Sequence, residues 1–359
     1  RLFAPSEINM GVDALRDSLY AMMKRNTFLN IKFENMLDTL GEMSRTDLYS
    51  YLKEWEQLTP LPFYSIGEPE LTKVVNKGGE EFFVLKVLVS NNSDYDGIIQ
   101  MNVLQNGWWY QPMEDPRARK KVEIAAHTSK EFVSVWEEQI RDVEINTMVS
   151  GNLPYMIRQS IGNVKQERNK IVKDTIYTLP ESSLEMPGEV IVDNEDSTLF
   201  VLSTPAVVGL LPKWLDKVED TSFKYSGIAW WRAPLQWTAT TNAKYYGKYI
   251  RSAYVIKSGD GSQTATWKIP VPEAGQYELY YHVFKDDELR WNDRLQGEYH
   301  FRVAYDSEME DAYINLRKAN EGWEQLGTYY FSADTVRVVL TDECKLRSVT
   351  ADAVKIVKR

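Results

Sequence analysis

Residues 264–284 constrain the fold more tightly than any other part of the chain. Residues 264–269 alternate polar and apolar, with Ala265, Trp267 and Ile269 on one side and Thr266 and Lys268 on the other; Gly275 breaks the chain and Tyr277 to Phe284 alternates again. A period of two sends successive side chains to opposite faces of an extended strand, so each run has one apolar face that must be buried against another layer. Two such runs joined across a glycine read as antiparallel strands. Trp267, Tyr277 and Trp323 all fall inside strand patterns and are expected in the core, because large aromatics dominate core burial. Asp352, set between Ala351 and Ala353 in a final strand, is expected to hydrogen-bond a neighbouring turn.

Short strands continue on both sides, separated by Gly, Pro, Asn and Asp. With 359 residues the chain exceeds one ordinary core and should form two or three domains. The predicted fold is mainly β with a short N-terminal helical segment: two β-sandwiches, the C-terminal one jelly-roll-like. Four stretches are expected: a helical remnant over residues 1–66, a small sandwich over 67–150, a linker or crossing segment over 151–187, and the second sandwich over 188–359.

The helical segment shows three patterns. Met10 to Arg25 places Val12, Leu15, Leu19 and Met22 on one face; Thr27 to Leu40 follows, with Gly41 as its stop; a third begins at Ser44, whose spacing to Asp47 suits a cap, and carries Leu48, Tyr51, Leu52 and Trp55. Pro60 and Pro62 end it. Strands are predicted at Phe82 to Val89, Ile98 to Leu104, Val122 to Ala126, Glu131 to Trp136 and Val143 to Met148, with Asn91 to Asp94 and Asp96-Gly97 as turns. Arg1 stands where a methionine or a leader would, so the chain is expected to be an internal fragment or a processed product.

The formal net charge is −10, and the basic run Arg117 to Lys121 stands alone, which argues against a nucleic-acid partner. The lone Cys344 excludes an internal disulfide. No stretch approaches the roughly 20 apolar residues of a spanning helix, since even Leu199 to Leu211 contains Ser203, Thr204 and Pro205.

The ordered series Trp237, Tyr246-Gly247, Ala265 to Ile269, Gly275-x-Tyr277, Tyr299-x-Phe301, Gly322-Trp323, Leu326-Gly327, Tyr329 to Phe331, Val336 to Leu340 and Ala351-Asp352-Ala353-Val354-Lys355 resembles the golvesin C-terminal-like domain. That domain is also described as the carbohydrate-binding-like domain of xanthan lyase, and the resemblance covers roughly residues 188–359. It implies a β-sandwich appended to exported bacterial proteins, hence an extracytoplasmic location, and does not by itself imply an enzyme. Residues 8–155 carry a second resemblance. Ser44 to Leu48, Tyr51-Leu52, Trp55 and Leu61-Pro62 entering a strand, then Asp142 to Thr147 and Gly151-Asn152-Leu153-Pro154, look like the end of the catalytic subdomain and the following sandwich of gluzincin (thermolysin-like) zinc aminopeptidases. Thr46 stands where that family usually has glycine.

Gluzincin chemistry requires His-Glu-x-x-His on one helix, so that two imidazoles one turn apart hold Zn²⁺. His127, His282 and His300 are the only histidines and none has that spacing, so the resemblance implies either a catalytic part upstream of Arg1 or an inactive relative. His282 and His300 sit on strand patterns and read as ordinary hydrogen-bonded histidines; Asp286-Asp287-Glu288 reads as a solvated face, because a glycosidase pair must oppose across a cleft. Asp193, Asn194 and Asp196 are the metal candidates, oxygen ligands at short spacing that suit structural Ca²⁺, with a side-chain-capped turn as the alternative. Trp230, Trp231, Trp291, Tyr245 and Tyr246 lie among turn residues and are the ligand candidates, flat rings able to stack on sugar faces. Trp108-Trp109-Tyr110 poses the same choice, with packing between domains preferred.

The expected function is a non-catalytic C-terminal accessory region that positions or anchors a larger exported protein, with the upstream domain of the same polypeptide and a polysaccharide as partners. The enzymatic alternatives are a non-catalytic part of an active zinc metallopeptidase and a polysaccharide lyase.

Overall fold

The computed structural model describes all residues except 1–2, 28–31, 57–59, 106–114, 162–163, 169–171, 183, 185–187, 204–223, 229–231 and 286–296. The chain divides into two units, Arg1–Leu184 and Glu185–Arg359.

The first unit begins with α1 (Ala4–Met10), α2 (Val12–Arg25), α3 (Phe33–Ser44) and α4 (Leu48–Glu56). The predicted first helix, Met10 to Arg25, is α2; α1 precedes it as a helix the sequence reading lacks, and the two are separated at Gly11, whose φ of 84° is open to glycine and strained for other residues. Two further details differ from the sequence reading. Gly41 lies inside α3, where a Cβ would meet the Thr46 carbonyl oxygen at 2.7 Å, so it marks a close approach and not a stop. The cap of α4 is Asp47, whose Oδ1 accepts the Ser50 N–H at 2.9 Å, while Ser44 Oγ donates back to Leu40 O at 2.7 Å. Met22, Leu37, Leu40 and Leu48 form the helical core. Ala4 and Ile8 of α1 pack on Ile98 and Met148, and Glu7 pairs with Lys121, which fixes the helices to the strands that follow.

Those strands are β1 (Tyr64–Ile66), β2 (Glu70–Val75), β3 (Glu81–Asn91), β4 (Gly97–Gln105), β5 (Arg119–Ile124), β6 (Thr128–Trp136), β7 (Ile140–Asn146), β8 (Met156–Ser160), β9 (Val164–Arg168) and β10 (Thr175–Pro180). They form a six-stranded sheet, β10-β6-β3-β2-β9 with β1 on β3, and a four-stranded sheet, β5-β4-β7-β8. Both sheets contribute to one core that includes Leu85, Val87, Phe132 and Trp136 from one and Ile99, Met101, Val143 and Ile145 from the other. The segment 151–187, read from its prolines as a linker, supplies β8, β9 and β10 to these sheets.

The second unit contains β11 (Glu189–Val192), β12 (Phe200–Leu202), β13 (Thr238–Thr241), β14 (Ser252–Lys257), β15 (Thr264–Pro270), β16 (Gly275–Val283), β17 (Glu298–Tyr305), β18 (Glu308–Asn315), β19 (Gly322–Phe331), β20 (Thr335–Thr341), β21 (Ser348–Ala351) and β22 (Val354–Lys358). These make three sheets: β11-β22-β16-β19, β12-β15-β20-β17-β18, and β13-β14-β21. Trp267, Tyr277, Tyr281, Phe301, Phe331 and Val349, drawn from all three, share one core.

Two β-sandwiches with a C-terminal jelly roll therefore do not describe the molecule. Its mainly β chain is laid out in five small sheets, two in the first unit and three in the second. Alternation identifies strands and their buried faces, but which strands share hydrogen bonds depends on long-range pairing. The β11–β22 pair, for example, joins Val190 to Ile356.

Candidate functional site

The outward face of the four-stranded sheet β11-β22-β16-β19 gathers the aromatic and charged groups most suited to hold a ligand. On β16 the odd-numbered residues from Tyr277 to Val283 enter the core, so Glu278, Tyr280 and His282 point the other way. Register brings Trp323 opposite His282 and Lys355 opposite Tyr280. A β-bulge between Leu279 and Tyr280 on the β19 side shifts the pairing there.

The rings of Tyr246, His282 and Trp323 lie 5.0–5.8 Å apart in tilted and edge-on pairs. Lys355 Nζ sits 4.8 Å from the Trp323 ring centre and 5.4 Å from that of Tyr280, and pairs with Glu189 Oε1 at 2.9 Å. A lysine between two rings holds its charge over their faces. Trp323 is thus half-buried on an outward face and not in the core as its strand pattern predicted; Trp267 and Tyr277 are in the core.

Beneath this face lies Asp352, fully buried. Both its oxygens accept the Tyr246 N–H at 3.2 Å, and Oδ2 meets His282 Nδ1 at 2.8 Å. The expected bond from Asp352 to a turn is present, and the imidazole partner is an addition. Burial holds the Asp352 carboxyl above its ordinary range, against the lowering effect of His282 and the Tyr246 amide. One buried side chain therefore fixes both the Tyr246 turn and the His282 ring. His282 and Asp352 are 70 residues apart, and only their outward and inward positions in the alternation hint at the contact.

The remaining candidates divide. Tyr245 is 4% exposed and packs edge-on against Phe284 at 4.7 Å, which makes it a packing residue. Trp230, Trp231 and Trp291 lie outside the described residues, as do Asp286-Asp287-Glu288 and Trp108-Trp109-Tyr110. Asp193, Asn194 and Asp196 build the turn from β11 to β12: Asp196 Oδ2 accepts the Asp193 N–H at 2.8 Å, Asp193 Oδ1 accepts the Asn194 N–H at 2.7 Å, and the Asn194 amide lies 2.7 Å from Ser252 Oγ. These oxygens serve backbone donors, as in an Asx turn. Burial and the nearby Asp352 charge hold Asp193 well above the usual carboxylate range. Among the described residues, no three His, Cys, Asp or Glu side chains gather as a metal site. His300 Nε2 bonds Asp311 at 2.7 Å, and His127 bridges Asp94 and Glu181 at 2.7 Å each.

Residues 230–358, which carry all of this face except Glu189, match the family described as the golvesin C-terminal domain. The C-terminal part of the chain is therefore golvesin-like. Among solved structures, the chain is similar to a Paenibacillus xanthan lyase, at 18% identity over 84% of this chain and 27% of that one, with a TM-score of 0.33. It is also similar to a Bacteroides uniformis β-glucuronidase, at 11% identity over 88% of this chain and 32% of that one, with a TM-score of 0.23. The chain spans about a third or less of each of these proteins. No curated protein matches. The resemblance of residues 8–155 to zinc aminopeptidases finds no support in these comparisons, and that reading is withdrawn. Among the described residues, no helix is long and apolar enough to cross a membrane.

Proposed function

We propose that this chain is a non-catalytic accessory region of a larger, exported protein, which it positions or anchors by binding glycan, and that the Trp323 face is the sugar platform. The observation that carries the reading is a golvesin-type unit that keeps a tryptophan half-buried on an outward sheet face, with Lys355 beside it and Tyr246 and His282 fixed by Asp352. Apolar sugar faces stack on flat rings while nearby polar groups set orientation. Glu189 and Glu278 are already paired, Glu189 with Lys355 and Glu278 with the Tyr280 hydroxyl at 2.5 Å and with Arg359 at 2.7 Å, and with both cations counted they supply that polar rim without net charge. Trp230, Trp231 and Trp291 remain further candidate rings of the same unit. The golvesin likeness of residues 230–358 supports an extracytoplasmic location in this reading.

The test is retention of the purified chain on a panel of insoluble neutral polysaccharides, with Trp323→Ala and Tyr246→Ala as variants. A stacked ring contributes about 0.5–1.5 kcal/mol beyond its area, so each loss should weaken binding by roughly two- to tenfold. Retention of no polysaccharide, or retention indifferent to Trp323, refutes the reading.

A further inference from the structure

The five-stranded sheet β12-β15-β20-β17-β18 presents a second outward face, of opposite character. Its outward positions are set by the buried partners Trp267, Val338 and Phe301 on the three central strands. Lys268 on β15 stands directly opposite Arg337 on β20. Arg302 on β17 pairs with Val339 while Arg337 pairs with Ala304, which puts the two arginines on the diagonal, about 7–8 Å apart. Like charges directly across a sheet are destabilising.

Among the described residues, these three cations make no ion pair or hydrogen bond through their side chains, and Arg302 Nε is buried without a partner. That is unexpected in a chain with 52 acidic and 42 basic residues, where an acid to pair with is seldom far away. Three acids lie by this face without pairing to the cations: Asp311, opposite Arg302, bonds His300 Nε2 at 2.7 Å, Glu298 accepts from the Asn315 amide at 3.2 Å, and Glu343 lies 3.3 Å from His300 Nδ1. Next to Arg302, the His300 ring stacks on Tyr313 with centroids 4.9 Å apart and planes at 9°, and Tyr313 is 56% exposed.

We infer that this face binds an anionic polysaccharide, whose acid groups reach Lys268, Arg337 and Arg302 while a sugar ring lies on the Tyr313–His300 stack. Guanidinium forks match carboxylate and sulfate oxygens in pairs. A bound anion would also relieve the Lys268–Arg337 repulsion. The inference rests on the glycan-binding reading, but on a separate sheet, so the two can fail separately.

The experiment uses the full chain with soluble polygalacturonate, its methyl-esterified form, dextran sulfate, a neutral glucan and polyaspartate, comparing wild type with Lys268→Gln/Arg337→Gln, Arg337→Lys and Trp323→Ala. Binding of the anionic polysaccharides is expected to fall about tenfold in the double glutamine variant and to weaken steeply with salt, with Arg337→Lys intermediate. Trp323→Ala should leave it in place. Thermal melting of the double variant should be no lower than wild type, because a like-charge contact is removed. Polygalacturonate and dextran sulfate, bound alone or together, identify carboxylate or sulfate as the group recognised. Equal binding of the esterified polymer, equal binding of polyaspartate, or indifference of anionic binding to the double variant would each overturn the inference even if neutral glucan is retained through Trp323.

Discussion

Replacing Asp352 by alanine removes a fully buried acceptor that serves two groups at once. The Tyr246 N–H, bonded to both carboxylate oxygens at 3.2 Å, loses its partner, and His282 loses the 2.8 Å contact at Nδ1. Removing an acceptor from buried donors costs about 1–3 kcal/mol for each donor left unsatisfied, and two are left here. Burial already disfavours the charged carboxyl, so the net loss should fall at the low end, about 3 kcal/mol. For a domain of this size that is a Tm lower by roughly 6–12 °C. Asp352→Asn keeps an acceptor for Tyr246 and has no charge to bury, so it should cost about 1 kcal/mol. Thermal and urea unfolding of both variants, with hydrogen exchange read at the Tyr246 amide, is the assay. If the alanine and asparagine variants are equally stable, or if Tyr246 stays protected in Asp352→Ala, Asp352 does not hold this face and the reasoning is wrong.

Gly247→Ala should be costly, by about 3 kcal/mol in unfolding experiments, because the backbone sits at φ 149° and a Cβ would lie 1.9 Å from the Ile250 carbonyl oxygen; it should also loosen Tyr246 and lower glycan retention. Asn152→Ala should destabilise the first unit by about 2–3 kcal/mol in urea titrations, since the buried amide accepts from Tyr64 N at 2.9 Å and donates to Tyr64 O at 2.8 Å. His127, whose protonated form is favoured by its bonds to Glu181 and Asp94, should titrate above an ordinary histidine by NMR. Its stabilising contribution should be complete below the unfolded-state pKa and fade as pH rises through the folded one, a dependence that His127→Gln removes.

The legibility of this chain follows the range of the interactions involved. Strands around Trp267 and Tyr277 could be read because burial on one face imposes a period of two on the sequence itself, and the early helices because their apolar spacing does the same. Asp47 rather than Ser44 caps α4 because both residues suit a cap and only backbone geometry chooses. Residues 151–187 looked like a linker because proline and charge mask strands lying at sheet edges, such as β9 and β10. The five-sheet layout was hidden for a related reason: pairings such as β11 with β22 join residues more than 160 positions apart, and no local pattern encodes them. At the candidate site, Tyr246 was visible as a ring among turn residues. Trp323 was misassigned because an outward tryptophan on a strand has the same local signature as an inward one until the phase of its neighbours is known.

The most direct test of the sugar platform is ¹⁹F NMR of the chain labelled with fluorotryptophan, which reports on its 11 tryptophans separately. Trp323→Phe assigns the Trp323 signal and Trp267→Phe that of the buried reference. On addition of oligosaccharides cut from a polymer that retains the protein, the Trp323 resonance is expected to shift and saturate while the Trp267 resonance stays in place. Saturating binding that shifts other tryptophans and leaves Trp323 unmoved would contradict the assignment of this face.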